Sequence, residues 1–149
     1  MIQTIVKKID EWGDYLTWMI ATGAVFGSLY FSEVLNLQPC MLCWWQRICM
    51  YPIAILMSVA ILRKDRRVAY YIIPLSVLGM FIGFYQSLLQ WGVIKEAIID
   101  CSANAAVSCS NADINWFGFM TIPFMSFVAF SGITVLMSLR IWFLRSNKD

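Results

Sequence analysis

The sequence predicts an all-α fold: a four-helix transmembrane bundle with both termini on the cytoplasmic side. Three observations carry that prediction. Of 149 residues, 60% are hydrophobic and only 13% charged, with a mean hydropathy of +0.70. A soluble domain is roughly half apolar and about a quarter charged, so here the apolar excess must face lipid. The apolar residues gather in four segments, 15–35, 42–62, 68–90 and 116–139. Each is near the ~20 residues a helix needs to cross about 30 Å of hydrocarbon. Lipid offers no partners to backbone N–H and C=O groups, which demands helices, and the period of two expected of a membrane barrel is absent. The third observation is charge placement. Lys7 and Lys8, the turn Arg63-Lys64-Asp65-Arg66-Arg67, and Arg140, Arg145 and Lys148 mark one side, whereas the two other loops hold only Lys95. The positive-inside rule makes the first set cytoplasmic. Loops 36–41 and 91–115 are then extracytoplasmic, and residues 1–149 read as a single integral membrane domain.

The elements follow in order. Asp10, Glu11 and Asp14 interrupt the start of the first apolar run, and no small-residue cleavage site follows it. It reads as a retained helix rather than a cleavable signal. Trp12, Trp44, Trp45, Trp91, Trp116 and Trp142 fall near segment ends, as an interfacial aromatic belt requires. Gly23 and Gly27 in the first segment, and Gly79 and Gly83 in the third, share the four-residue spacing that lets helix backbones approach. That spacing is also ordinary glycine usage in membrane helices. Pro74 and Pro123 suit a kink or a first-turn position. No basic patch interleaved with aromatics points to nucleic acid.

Five cysteines remain: Cys40, Cys43, Cys49, Cys101 and Cys109. Topology puts Cys40, Cys43, Cys101 and Cys109 on the outer side, where disulfides persist. Cys49 falls within the second helix and reads as a buried small apolar residue. Cys40 and Cys43 are three apart; Pro39 can serve as the first helical residue, which puts both cysteines in the first turn of the second helix, where unpaired N–H groups favour a thiolate. A disulfide across two residues removes little unfolded-state entropy, so the pair is a poor staple and a good redox couple. Zinc is not expected, because the cysteine spacings are not usual zinc patterns and the chain has no histidine. Cys101 and Cys109 flank a small, polar loop segment. Alone they suit a structural disulfide; on the same side as Cys40 and Cys43, they suit successive thiol–disulfide exchange.

Arg47 is the polar anomaly of the second segment, and a charge inside a membrane helix marks function by default. Cys40, Cys43 and Arg47 are spaced i, i+3 and i+7, on one helical side. Arg47 then supports a Cys43 thiolate or the oxygen of a reduced acceptor, or else it snorkels to the outer headgroups. Gln46 is expected to point elsewhere, and Glu33 to be a solvated helix-end carboxylate or a proton donor. Haem, nucleotide and iron–sulfur motifs are absent. A lipid-soluble quinone near Cys43 and Arg47 is the economical electron acceptor.

Gln38-Pro39-Cys40-Met41-Leu42-Cys43-Trp44-Trp45-Gln46-Arg47 resembles the signature of the disulfide bond formation protein B (DsbB) family, nearest its BdbC-type branch from Gram-positive bacteria. Asn115-Trp116-Phe117-Gly118-Phe119-Met120-Thr121-Ile122-Pro123 resembles the start of that branch's fourth helix. The likeness spans nearly the whole chain. It implies an enzyme in the bacterial plasma membrane, a quinone-dependent protein-disulfide oxidoreductase. Its partner would be a secreted or membrane-anchored thioredoxin-like thiol oxidase of the DsbA or BdbD kind, and its cofactor menaquinone or ubiquinone. By the order of the family motif, the reduced partner attacks the Cys101–Cys109 disulfide at Cys101, Cys109 exchanges with Cys40, and Cys43 is released as a thiolate beside Arg47. The Cys101–Cys109 loop is shorter than in the best-known members of the family. Two other readings stand beside this one. A vitamin K epoxide reductase type would carry its CxxC after the loop pair, whereas here it comes first. A small transporter or structural protein with structural disulfides would want a mid-membrane ionisable residue, and only Arg47 and Glu33 offer themselves.

Overall fold

The computed structural model describes residues 2–36, 39–65, 67–94 and 121–146, with side chains from residue 12 onward except those of Leu144 and Ser146. All regular structure in those residues is helical: α1 (Ile2–Leu29), a π-helical turn (Tyr30–Val34), α2 (Met41–Arg63), α3 (Ala69–Gln90) and α4 (Ile122–Ser146). Among the described residues, α2, α3 and Ile122–Phe143 of α4 are long and apolar enough to cross a membrane. α1 does not meet that measure. It also starts well before the expected residue 15, because Ile2, Ile5 and Ile9 recur at helical period between the charged Lys7, Lys8, Asp10 and Glu11.

Interhelical contacts make the order up-down-up-down. α1 meets α2 antiparallel, with Trp18 Nε1 donating to Ser58 Oγ at 2.8 Å near one end and Arg47 reaching Ser28 near the other. α2 turns sharply into α3. Lys64 adopts the left-handed conformation (φ 54°), which lets the Asp65 N–H return to the Ala60 carbonyl at 3.0 Å. The Arg67 N–H then donates to Asp65 Oδ1 at 2.8 Å. α3 and α4 form the most extensive contact of the bundle. Its closeness rests on glycine: a Cβ at Gly79 would overlap the Phe130 ring, and one at Gly83 would lie 3.2 Å from the Phe127 backbone. Gly23 and Gly27, which share that spacing, face open space. Only the third-helix pair therefore serves close packing.

The core runs down the bundle axis through Ile53, Met57, Ile72, Phe130, Ile133 and Met137, all fully buried. Cys49 joins this cluster, as a small apolar residue should. Pro123 sits in the first turn of α4, whereas Pro74 lies inside α3. A separate small cluster of Cys40, Leu42 and Leu89 closes the end of the bundle where α2 begins and α3 ends. The chemistry-bearing residues collect at that end.

Candidate functional site

The site begins with how α2 starts. Cys40 has extended backbone (ψ 171°) and is the residue that caps the helix, so helical geometry begins at Met41. Pro39 therefore stands one position outside the cap, not at the first helical position that the sequence suggested. Cys40 is buried and Cys43 half-buried. Both are free thiols, with their sulfurs 3.1 Å apart. A disulfide requires about 2 Å, so this is the dithiol state with a hydrogen bond between the sulfurs. The Cys40 thiol is lowered from the ordinary range to about 6. The chief cause is the Cys43 S–H, which donates to an ionised Cys40; burial opposes it. The first-turn amides of Cys43 and Leu42 and the side chain of Gln86 add to the lowering, although no amide makes a formal capping hydrogen bond to the sulfur.

Gln86 of α3 was not singled out by sequence reasoning, yet its side chain touches both sulfurs. Its Nε2 donates to Cys40 Sγ at 3.1 Å and to Cys43 Sγ at 3.3 Å. Its Oε1 accepts from Gln46 Nε2 at 2.9 Å. Gln46 was expected to point away from the site; instead it joins the site through Gln86. The available signal was the amide itself. Gln86 is a carboxamide in a segment with no charged residue, and a buried carboxamide in a membrane helix needs an interhelical partner.

Arg47 turns the other way. Its Nε donates to Ser28 Oγ at 2.7 Å, and its Nη2 to the Ser28 carbonyl at 2.8 Å and Ser32 Oγ at 3.0 Å. Its guanidinium carbon lies 5.5 Å from the centre of the exposed Trp44 ring. Helical spacing puts Cys40, Cys43 and Arg47 on one side of α2. The side chains then diverge, the sulfurs toward α3 and the guanidinium toward α1. The π-helical turn at Tyr30–Val34 serves this arrangement. It redirects the backbone ladder there, and the Ser28 carbonyl accepts from Ser32 Oγ (3.2 Å) as well as from Arg47. Glu33 lies on the same turn and is exposed. Among the described residues no carboxylate pairs with Arg47; its contacts are neutral oxygens and the Trp44 ring. No metal-binding cluster occurs among the described residues. Cys101 and Cys109 lie outside the described residues, as does 115–120 of the second resembling segment.

Residues 12–139 match the family described as disulfide bond formation protein DsbB. Over 125 residues the chain is 42% identical to disulfide bond formation protein C of Bacillus subtilis (strain 168), covering 84% of this chain and 89% of that protein. It is 40% identical over 131 residues to a probable disulfide formation protein of Deinococcus radiodurans, covering 83% and 85%. It is 43% identical over 115 residues to a probable disulfide formation protein C of Halalkalibacterium halodurans, covering 76% and 82%. No solved structure matches it. A helical membrane bundle, a dithiol at a helix start and this agreement along most of the chain converge: the chain belongs to the disulfide bond formation protein DsbB family, whose members are membrane disulfide oxidoreductases.

Proposed function

We propose that this chain reoxidises an extracytoplasmic thioredoxin-like thiol oxidase and passes the electrons to a membrane quinone, so supporting disulfide formation in secreted proteins. The single observation that carries the reading is the paired thiols of Cys40 and Cys43, 3.1 Å apart at the end of a membrane helix. On this reading 1–149 is one membrane domain in a bacterial plasma membrane. The Arg63–Arg67 turn and both termini are cytoplasmic, and the cysteine end faces outward, as charge placement supports.

The protein-facing half of the reaction belongs to Cys101 and Cys109. The partner dithiol attacks their disulfide at Cys101, forming a mixed disulfide and releasing the Cys109 thiolate. The partner's second thiol resolves that bond and leaves the partner oxidised. Cys109 exchanges with the Cys40–Cys43 disulfide at Cys40, releasing Cys43 as a thiolate, and the Cys101–Cys109 bond re-forms as Cys40 is freed. Two electrons and two protons thereby move from the partner to the Cys40–Cys43 pair.

The Cys40 end has the donor set for a quinone. Arg47 offers a positive charge with no carboxylate partner among the described residues, Trp44 an exposed aromatic face, and Cys43 a half-buried thiol. When bound, a quinone supplies the two-electron, two-proton acceptor that returns the pair to its disulfide. Arg47 would hold the acceptor's oxygen, and Ser28 and Ser32 hold Arg47 in place for it. The test is quinone reduction by the purified full-length protein supplied with a reduced thioredoxin-like dithiol protein. Quinol forming in step with partner oxidation supports the reading; partner oxidation without quinol would refute the acceptor.

A further inference from the structure

We propose that Gln86 is a catalytic residue that favours the dithiol state of Cys40 and Cys43, and that Gln46 is the positioning residue that aims it. The proposal deepens the reading above and rests on Cys40 and Cys43 being the redox pair. Gln86 is 1% exposed and Gln46 is 7% exposed, so neither amide can turn to solvent for hydrogen bonds. All of the Gln86 carboxamide is in use. Its Nε2 lies within hydrogen-bond distance of both sulfurs, and its oxygen accepts from Gln46.

The two redox states of the pair do not reward this arrangement equally. A thiolate is a strong acceptor, and hydrogen bonds to charged groups exceed neutral ones. Reducing the Cys40–Cys43 disulfide breaks the S–S bond, adds two electrons and takes up protons, leaving a thiol and a thiolate or two thiols. The negative charge so created meets the preplaced amide donor of Gln86. In the disulfide the sulfurs carry no charge, and the same donor loses its best acceptors while still buried. The difference favours the reduced form, and a stabilised reduced form makes a couple more oxidising. An amide supplies this pull without a formal charge, which a lysine at the same depth would have to desolvate. Gln46 matters because a carboxamide has two ends. With Gln46 Nε2 donating to Gln86 Oε1, the NH2 group rather than the oxygen faces the sulfurs.

The experiment measures the thiol–disulfide equilibrium of the Cys40–Cys43 couple with no quinone or partner in the assay. Full-length protein in detergent, carrying Cys101→Ser and Cys109→Ser to isolate the couple, is equilibrated in glutathione redox buffers. The dithiol fraction is read by alkylation. Gln86→Met, close in shape but lacking the donors, is expected to shift the equilibrium constant roughly tenfold toward the disulfide, which is about 30 mV more negative. Gln46→Met should shift it the same way by less. A merely structural role would lower the unfolding temperature of both redox states alike and leave the constant in place. A constant within about twofold of the parent in Gln86→Met overturns the proposal. If that variant does not fold, an unmoved constant in Gln46→Met overturns it instead. The two readings separate: a shifted constant without quinone reduction counts against the quinone route alone, and quinone turnover with an unmoved constant counts against Gln86 alone.

Discussion

The two ends of the bundle each hold an arginine, and the bundle treats them differently. Near the Arg63 end, Arg140 of α4 is 5% exposed and pairs with Asp14 of α1 at 2.8 Å. Near the Cys40 end, Arg47 of α2 is held by the hydroxyls of Ser28 and Ser32 and by a carbonyl, with no carboxylate partner among the described residues. The first charge is neutralised inside the protein and ties two helices together. The second is held by neutral groups alone among the described residues, and an anion or a polarised oxygen from outside is the partner proposed for it. Residue type alone does not distinguish these roles; the partner does.

The largest expected effect tests the Arg140 end. Arg140→Ala takes the buried cation away from the half-buried Asp14 and should cost about 3 kcal/mol of stability, read by unfolding in detergent. Replacing both Asp14 and Arg140 with leucine should cost clearly less, because no carboxylate then loses its counter-ion. Equal losses in the single and double variants would show that the ion pair itself carries little. At the other end, Arg47→Ala should slow quinone reduction about tenfold or more while thiol exchange with the partner falls less; one lost contact of a charged group is worth roughly 1.5–3 kcal/mol. Equal losses in the two half-reactions would recast Arg47 as a structural residue like Arg140. A smaller effect concerns the dithiol. Cys40, lowered to about 6, is ionised above that pH and protonated below it. Thiolate ultraviolet absorbance of the reduced protein should therefore fall as pH drops through about 6, and that step should vanish in Cys40→Ser. A midpoint in the ordinary thiol range would remove the support assigned to Cys43 and the helix start. Smallest of all, Cys49→Ala should leave turnover nearly unchanged, since Cys49 packs in the core. A dead Cys49→Ala enzyme would mean that the cysteines were sorted wrongly.

The architecture was legible because lipid imposes a simple rule on sequence: uninterrupted apolar helices with charge at one set of ends. The extension of α1 back to Ile2 was not, because its charged residues break the apolar run that marks a membrane segment while preserving helical period. Cys40, Cys43 and Arg47 stood out because each violates the apolar pattern locally, within one short stretch. Their divergence, sulfurs toward α3 and guanidinium toward α1, depends on what faces each side of α2, and helical spacing does not specify neighbours. The pairing of Gln46 with Gln86 spans 40 residues of sequence and is set by the register of two antiparallel helices joined through the Lys64 turn. Likewise, nothing in Tyr-Phe-Ser-Glu-Val announces a π-helical turn; it lies where Ser28 of α1 and Ser32 of the turn itself meet a cation on another helix.

The proposed function stands on Cys40 and Cys43 as the couple between the protein partner and the membrane acceptor. Its most direct test is quinone reduction driven by a reduced thioredoxin-like partner, measured side by side for the parent protein, Cys40→Ser and Cys43→Ser. Quinol should form with the parent and not above background with either variant. Turnover at the parental rate in either variant would contradict it.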